Sequence, residues 1–109
     1  MKQAPLFTDA FSLCEWLLRQ LDRESSVLAR ALCDSSLQLL TAVVLALKGR
    51  QREEQLAAAD ECLIMLRMQL RLAGAIGLLG ESQLLFALEC ADCIGRQIGG
   101  WQRTLDSAS

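Results

Sequence analysis

Apolar residues recur at spacings of three and four along most of this 109-residue chain, and three short polar or glycine-bearing breaks interrupt them. That spacing keeps apolar side chains on one face of an α-helix and does not suit the strict alternation of a half-buried strand. Phe11, Cys14, Leu17, Leu18 and Leu21 begin the series and predict a helix over 9–22, with Thr8 or Asp9 as its N-cap. Asp22-Arg23-Glu24-Ser25-Ser26 then supplies a break and a second cap.

The second helix is expected over 26–48 and carries two apolar stripes. Leu28, Ala31, Leu32, Ser35, Leu39, Ala42 and Ala46 form one, and Cys33, Leu37, Leu40, Val44 and Leu47 the other. A helix on the surface of a monomer needs only one such stripe. Gly49 suits the residue after a helix end, and Lys48, Arg50 and Arg52 oppose the negative end of the helix dipole. A third helix over 52–78 places Leu56, Ala59, Leu63, Leu66, Leu70, Ala73 and Gly77 on its main stripe. Gly80 is expected to end it, and Ser82 to cap a fourth helix over 82–105. Short links force consecutive helices to run antiparallel. The expected fold is therefore all-α, an antiparallel up-down-up-down four-helix bundle forming one domain over 1–109. Residues 1–8 are expected as a loose arm and 106–109 as a loose end.

The stretch Ile94-Gly95-Arg96-Gln97-Ile98-Gly99-Gly100-Trp101 sits badly with helix propensity. Each internal glycine costs about 1 kcal/mol relative to alanine. Two readings are open. Gly95, Gly99, Gly100 and Trp101 form a face for close helix packing, or Gly99-Gly100 stops the helix. Trp101 and Leu105 keep the helical period past the glycines and favour the first.

The composition argues against catalysis. There is no histidine, the commonest general acid-base residue. No glycine-rich phosphate loop or nucleophile elbow is present. Asp60-Glu61 and Glu53-Glu54 are adjacent on a helix, so their carboxylates diverge. Cys90-Ala91-Asp92-Cys93 matches C-x-x-C but has no second pair or histidine to complete a metal site. The five cysteines sit in apolar-periodic segments and read as reduced, buried thiols, with no metal and no cofactor. The charge-free apolar run 35–47 is shorter than a membrane span, and the N-terminus lacks an apolar signal core. A cytosolic protein without membrane contact is expected.

Several short motifs resemble a known family. They are Trp16-Leu17-Leu18, Ala59-Asp60, Leu66-Arg67, Leu70-Arg71-Leu72-Ala73, Gly95-Arg96 and Gly99-Gly100-Trp101, spread over about residues 9–104. In that order they resemble the small bundle proteins encoded in ribosomal RNA intervening sequences, and their relatives, the accessory variability determinants of diversity-generating retroelements. The resemblance implies a four-helix bundle, a ring-shaped homopentamer, and association with nucleic acid and a reverse transcriptase. The chain departs from the family at Arg23-Glu24-Ser25-Ser26, where an aromatic-proline-basic link is common. Its formal charge of −2 also differs from the basic retroelement proteins.

Arg67 and Arg71 share one helix face, and Arg96 and Arg103 another. They are candidates for nucleic-acid contact. The competing account is ion pairing, with Arg71 level with Glu89 and Arg67 level with Asp92 in an antiparallel hairpin. The surplus apolar surface points to a homo-oligomer, with Leu37, Leu40, Val44 and Leu47 set against a neighbour's third or fourth helix. The expected function is thus a non-enzymatic, ring-forming bundle of the retroelement or intervening-sequence type. The alternative is a cytosolic scaffold for a protein partner, with no nucleic-acid role.

Overall fold

A computed structural model describes residues 4–108. Four helices account for most of them: α1 (Pro5–Leu21), α2 (Val27–Leu47), α3 (Arg52–Ala75) and α4 (Glu81–Ala108). No strand occurs among the described residues. Each helix packs on two neighbours, α1 and α3 each touching both α2 and α4, in a bundle 45 Å long and 23 × 22 Å across. Gln20 meets Gln83 at one end of the bundle while Asp9 meets Gln97 towards the other, so α1 and α4 run antiparallel. The fold is the expected all-α four-helix bundle.

The core is one cluster of mainly leucine and alanine. Leu6, Leu13, Leu17, Leu32, Leu39, Leu56, Leu63, Leu66, Leu70, Ile94 and Ile98 are all essentially inaccessible to solvent. On α2 the buried stripe is turned slightly from the expected one, through Ala29, Leu32, Ser36, Leu39 and Val43. Ala31 and Ser35 lie at its half-buried margin. Ser36 is tolerated inside because its Oγ donates to the Cys33 carbonyl at 2.8 Å. By length and composition α2 is apolar enough to cross a membrane, with a mean hydropathy of 1.4. The charge-free run alone understates this, because the helix adds apolar residues around Arg30 and Asp34. In the bundle its buried stripe serves as a core element between α1 and α3.

The helix ends correct the sequence reading in three places. α1 begins at Pro5 with Ala4 as its N-cap, so residues 5–8 are helical and not a loose arm. Proline suits a first helical turn because its missing N–H would have no intrahelical acceptor. The early start lets Leu6 and Ala10 extend the stripe of Leu13, Leu17 and Leu21 into the core. Neither Thr8 nor Asp9 acts as a cap. Residues 1–3 of the expected arm lie outside the described residues. At the other terminus α4 runs on to Ala108, so 106–108 are helical, and Ser109 lies outside the described residues.

The third correction is the α3–α4 turn. α3 ends at Ala75, and Gly77, not Gly80, adopts the left-handed conformation that closes it (φ +80°). The Leu78 and Leu79 amides donate back to the Ala73 carbonyl, and Leu79 folds into the core. The Gly80 amide donates to Gln83 Oε1 at 2.8 Å, closing the α4 N-terminus without Ser82. The other two links follow expectation. Ser26 caps α2 by accepting from the Ala29 amide at 3.0 Å, and Gly49 is left-handed after it (φ +76°).

Candidate functional site

Two seams between adjacent helices hold most of the residues singled out from the sequence, and their chemistry is opposite. On the α1–α2 seam, Leu37 is exposed, and Leu40, Val44 and Leu47 are half-buried. They line two grooves along the bundle. Leu37 and Leu40 share one with Phe11 and Leu18, whose mouth carries Glu15 and Arg19. Val44 and Leu47 share the other with Phe7 and Trp101, bordered by Lys48. The Phe7 and Phe11 rings, 5.6 Å apart, join the two into one apolar track. Its floor comes from the second stripe of α2, and α1 and α4 supply the aromatic walls.

Trp101 is half-buried at the end of this track. The Arg52 guanidinium lies 5.2 Å from the indole ring centre, and its Nε donates to the Ala46 carbonyl at 2.9 Å. One arginine therefore satisfies the C-terminal end of α2 and lies over the tryptophan as a cation–π partner.

The α3–α4 seam is polar. At Gly95 the helices approach closely: a Cβ there would lie 2.8 Å from Arg67 Nη2 and 3.2 Å from Leu63 Cδ2. The bare backbone lets Arg67 lie flat across α4. Its Nη2 lies 3.1 Å from Asp92 Oδ1 as an ion pair and donates to the Ala91 carbonyl at 3.3 Å, while its Nε is buried without a partner. Asp60, Ile64 and Arg96 complete a groove of about 370 Å³. Both partners of the Arg67–Asp92 pair are more than a third exposed, so solvent screens it.

Arg67 and Arg96 thus line one groove together with the carboxylates of Asp60 and Asp92. Arg71 is exposed outside the groove and makes no ion pair with Glu89. Arg103 is exposed nearer the C-terminus of α4, beside Gly99 and Gly100. α4 continues through those two glycines, so they do not stop it. A Cβ at either would meet only the Arg103 guanidinium, at 3.4 and 3.9 Å. Gly95 packs within the chain, whereas Gly99 and Gly100 leave bare backbone beside Trp101.

A polar node between α1 and α4 escapes the sequence reading. Asp9 Oδ2 accepts from Gln97 Nε2 at 2.6 Å and from the Cys93 thiol at 3.5 Å. Cys93 and Gln97 are four apart on α4, but only the bundle brings Asp9 to them. All five cysteines are free thiols. Burial, reinforced by neighbouring carboxylates, pushes the Cys33, Cys62 and Cys90 thiols up from their ordinary pKa. They stay protonated and poorly nucleophilic at neutral pH. Among the described residues, no three of histidine, cysteine, aspartate and glutamate gather as a metal-ligand group.

No curated protein and no solved structure matches this chain. A family model does, and its match runs from the first turns of α1 almost to the end of α4, taking in both seams and the glycine-bearing stretch. Over residues 9–105 that model is the bAvd-like one, accessory variability determinants in type, and the chain belongs to the bAvd-like family.

Proposed function

We propose that this protein is a non-catalytic accessory factor of a retroelement that works in the cytoplasm as a closed homo-oligomeric ring associated with nucleic acid or with a reverse transcriptase. The apolar α1–α2 track carries the reading. It holds Phe7, Phe11, Leu37, Leu40, Val44 and Leu47 in one seam, and the described part of the chain leaves it uncovered. Tracks of this kind mark interaction surfaces. A head-to-tail contact that closes into a ring buries such a track without leaving a free end. Five copies is the count implied by the resemblance to retroelement accessory proteins, as is the wider kinship with ribosomal RNA intervening-sequence proteins.

Nucleic-acid contact in this reading falls to Arg71, Arg96 and Arg103, because Arg67 is already engaged by Asp92. The same ion pair supports a second reading, a scaffold that binds a protein partner and no nucleic acid. The net charge of −2 per chain favours it, since it disfavours phosphate. Size exclusion with light scattering tests the ring, and a mass near one 12.0 kDa chain overturns it. Titration with single- and double-stranded nucleic acid at low and high salt separates the two readings. Binding that weakens steeply with salt supports phosphate contact, and no binding at low salt leaves the scaffold.

A further inference from the structure

The exposed face of α3 has a pattern that the core does not require. Ala57, Glu61, Ile64, Met68, Arg71 and Ala75 follow one another at alternating steps of four and three. At about 100° per residue they fall within about 80° of arc, opposite the buried stripe of Leu56, Ala59, Leu63, Leu66, Leu70 and Ala73. All six are exposed, Ile64 at 59% and Met68 at 50%. Steps of four and three are the seam of a coiled coil.

The seam is also palindromic about position 66. An antiparallel copy of α3 centred there sets Ala57 opposite Ala75, Ile64 opposite Met68 and Glu61 opposite Arg71. A two-fold contact requires this relation, in which residue i meets j and j meets i. Small residues then lie at both ends, an apolar pair near the centre on each side, and opposite charges between. Among the described residues, neither Glu61 nor Arg71 has a salt-bridge partner. A parallel arrangement would instead set Glu61 on Glu61 and Arg71 on Arg71.

We propose that α3 is a second self-docking surface, on which another copy of this chain lies antiparallel about a two-fold axis near Leu66, with Glu61 of each copy facing Arg71 of the other. The surface is distinct from the α1–α2 track, does not depend on the ring, and stays free in a ring whose track meets a neighbour's α4 in place of its α3. It also gives Arg71 a protein partner in place of phosphate. One helix pair of this length is a small contact, so it is expected to grow with protein concentration.

The test is light scattering over a concentration series, on wild type and on three charge variants. Two-fold docking on a ring of five gives ten chains at the upper end of the series, and without the ring it gives two. A mass that stops at five chains overturns the α3 contact and leaves the ring standing. A monomer throughout overturns both. Glu61→Arg and Arg71→Glu each place like charges opposite one another twice, so each is expected to halve the upper mass. Combining Glu61→Arg with Arg71→Glu restores opposite pairs and is expected to restore the mass. Single variants that keep the wild-type mass, or a double variant that does not recover it, overturn the proposal. Circular dichroism melts of these surface variants confirm that folding is intact.

Discussion

The α1–α2 and α3–α4 seams are built from the same helical repeat and differ in what fills the space between helices. On the first, large side chains meet across the gap, with the Phe7 and Phe11 rings standing over α2. On the second, Gly95 removes a side chain, and the gap is filled by Arg67 and its partner Asp92. The first seam leaves apolar area in water and gains by being covered. The second is polar, with Arg67 already engaged by Asp92, and gains less from apolar cover. One bundle thus carries one apolar surface and one polar surface on the same core.

Both seams rest on one core, so the largest perturbation should remove them together. Leu66 is fully buried in the middle of α3. Leu66→Ala is expected to lower stability by about 2–5 kcal/mol, read as a shift in the denaturant midpoint. An unchanged midpoint would mean that the α3 stripe faces elsewhere.

Val44→Glu separates the seams. Val44 is half-buried in the apolar track, and a carboxylate covered there in an interface loses its hydration, with only Lys48 at the groove's border to offset the cost. The expected result is a smaller species in light scattering with nearly unchanged helicity. A wild-type mass for this variant would remove the track as the assembly surface.

Smaller effects are expected on α4. Gly99 is mid-helix, and a Cβ there meets only the flexible end of Arg103. Gly99→Ala is expected to stabilise the isolated chain by up to about 1 kcal/mol, read in the melting temperature. If the bare backbone beside Trp101 is itself covered in the assembly, the same change weakens association, so stability and mass move in opposite directions.

Asp92→Asn probes the polar seam and should do least. It removes the charge that holds Arg67 across Gly95, but both groups are partly solvated. About 0–1 kcal/mol is expected in a thermal melt. A loss well beyond that would show that the unpartnered, buried Nε of Arg67 makes this pair structurally essential, which would erase the contrast between the seams.

The four helices, most of the core and the Arg67–Asp92 pair were legible from spacing alone. Leu63, Leu66 and Leu70 can all be buried by only one face of a helix, and heights in an antiparallel hairpin follow from the rise per residue. The expected Arg71–Glu89 pair fails because similar height does not ensure that two side chains point into the same gap. Arg67 leans towards α4, while Arg71 is turned onto the open face of α3. The early start of α1 is hidden because Thr8 and Asp9 offer an N-cap after Leu6, and only the bundle shows Leu6 in the core.

By itself, the sequence determined that there are four helical segments and which of their faces are apolar, because both depend on local period and on the choice of leucine and alanine over β-branched residues. The tertiary structure decided what each special residue does. Gly95, Gly99 and Gly100 are alike in sequence, yet only Gly95 has Leu63 and Arg67 pressed against it. Asp9 looked like a cap and instead accepts hydrogen bonds from Gln97 and Cys93. Trp101 reads from the sequence as part of a close-packing face with the glycines and lies beneath Arg52 at the end of the track. Such roles depend on which helix lies opposite and at what height, and both are set only when all four stripes are buried at once.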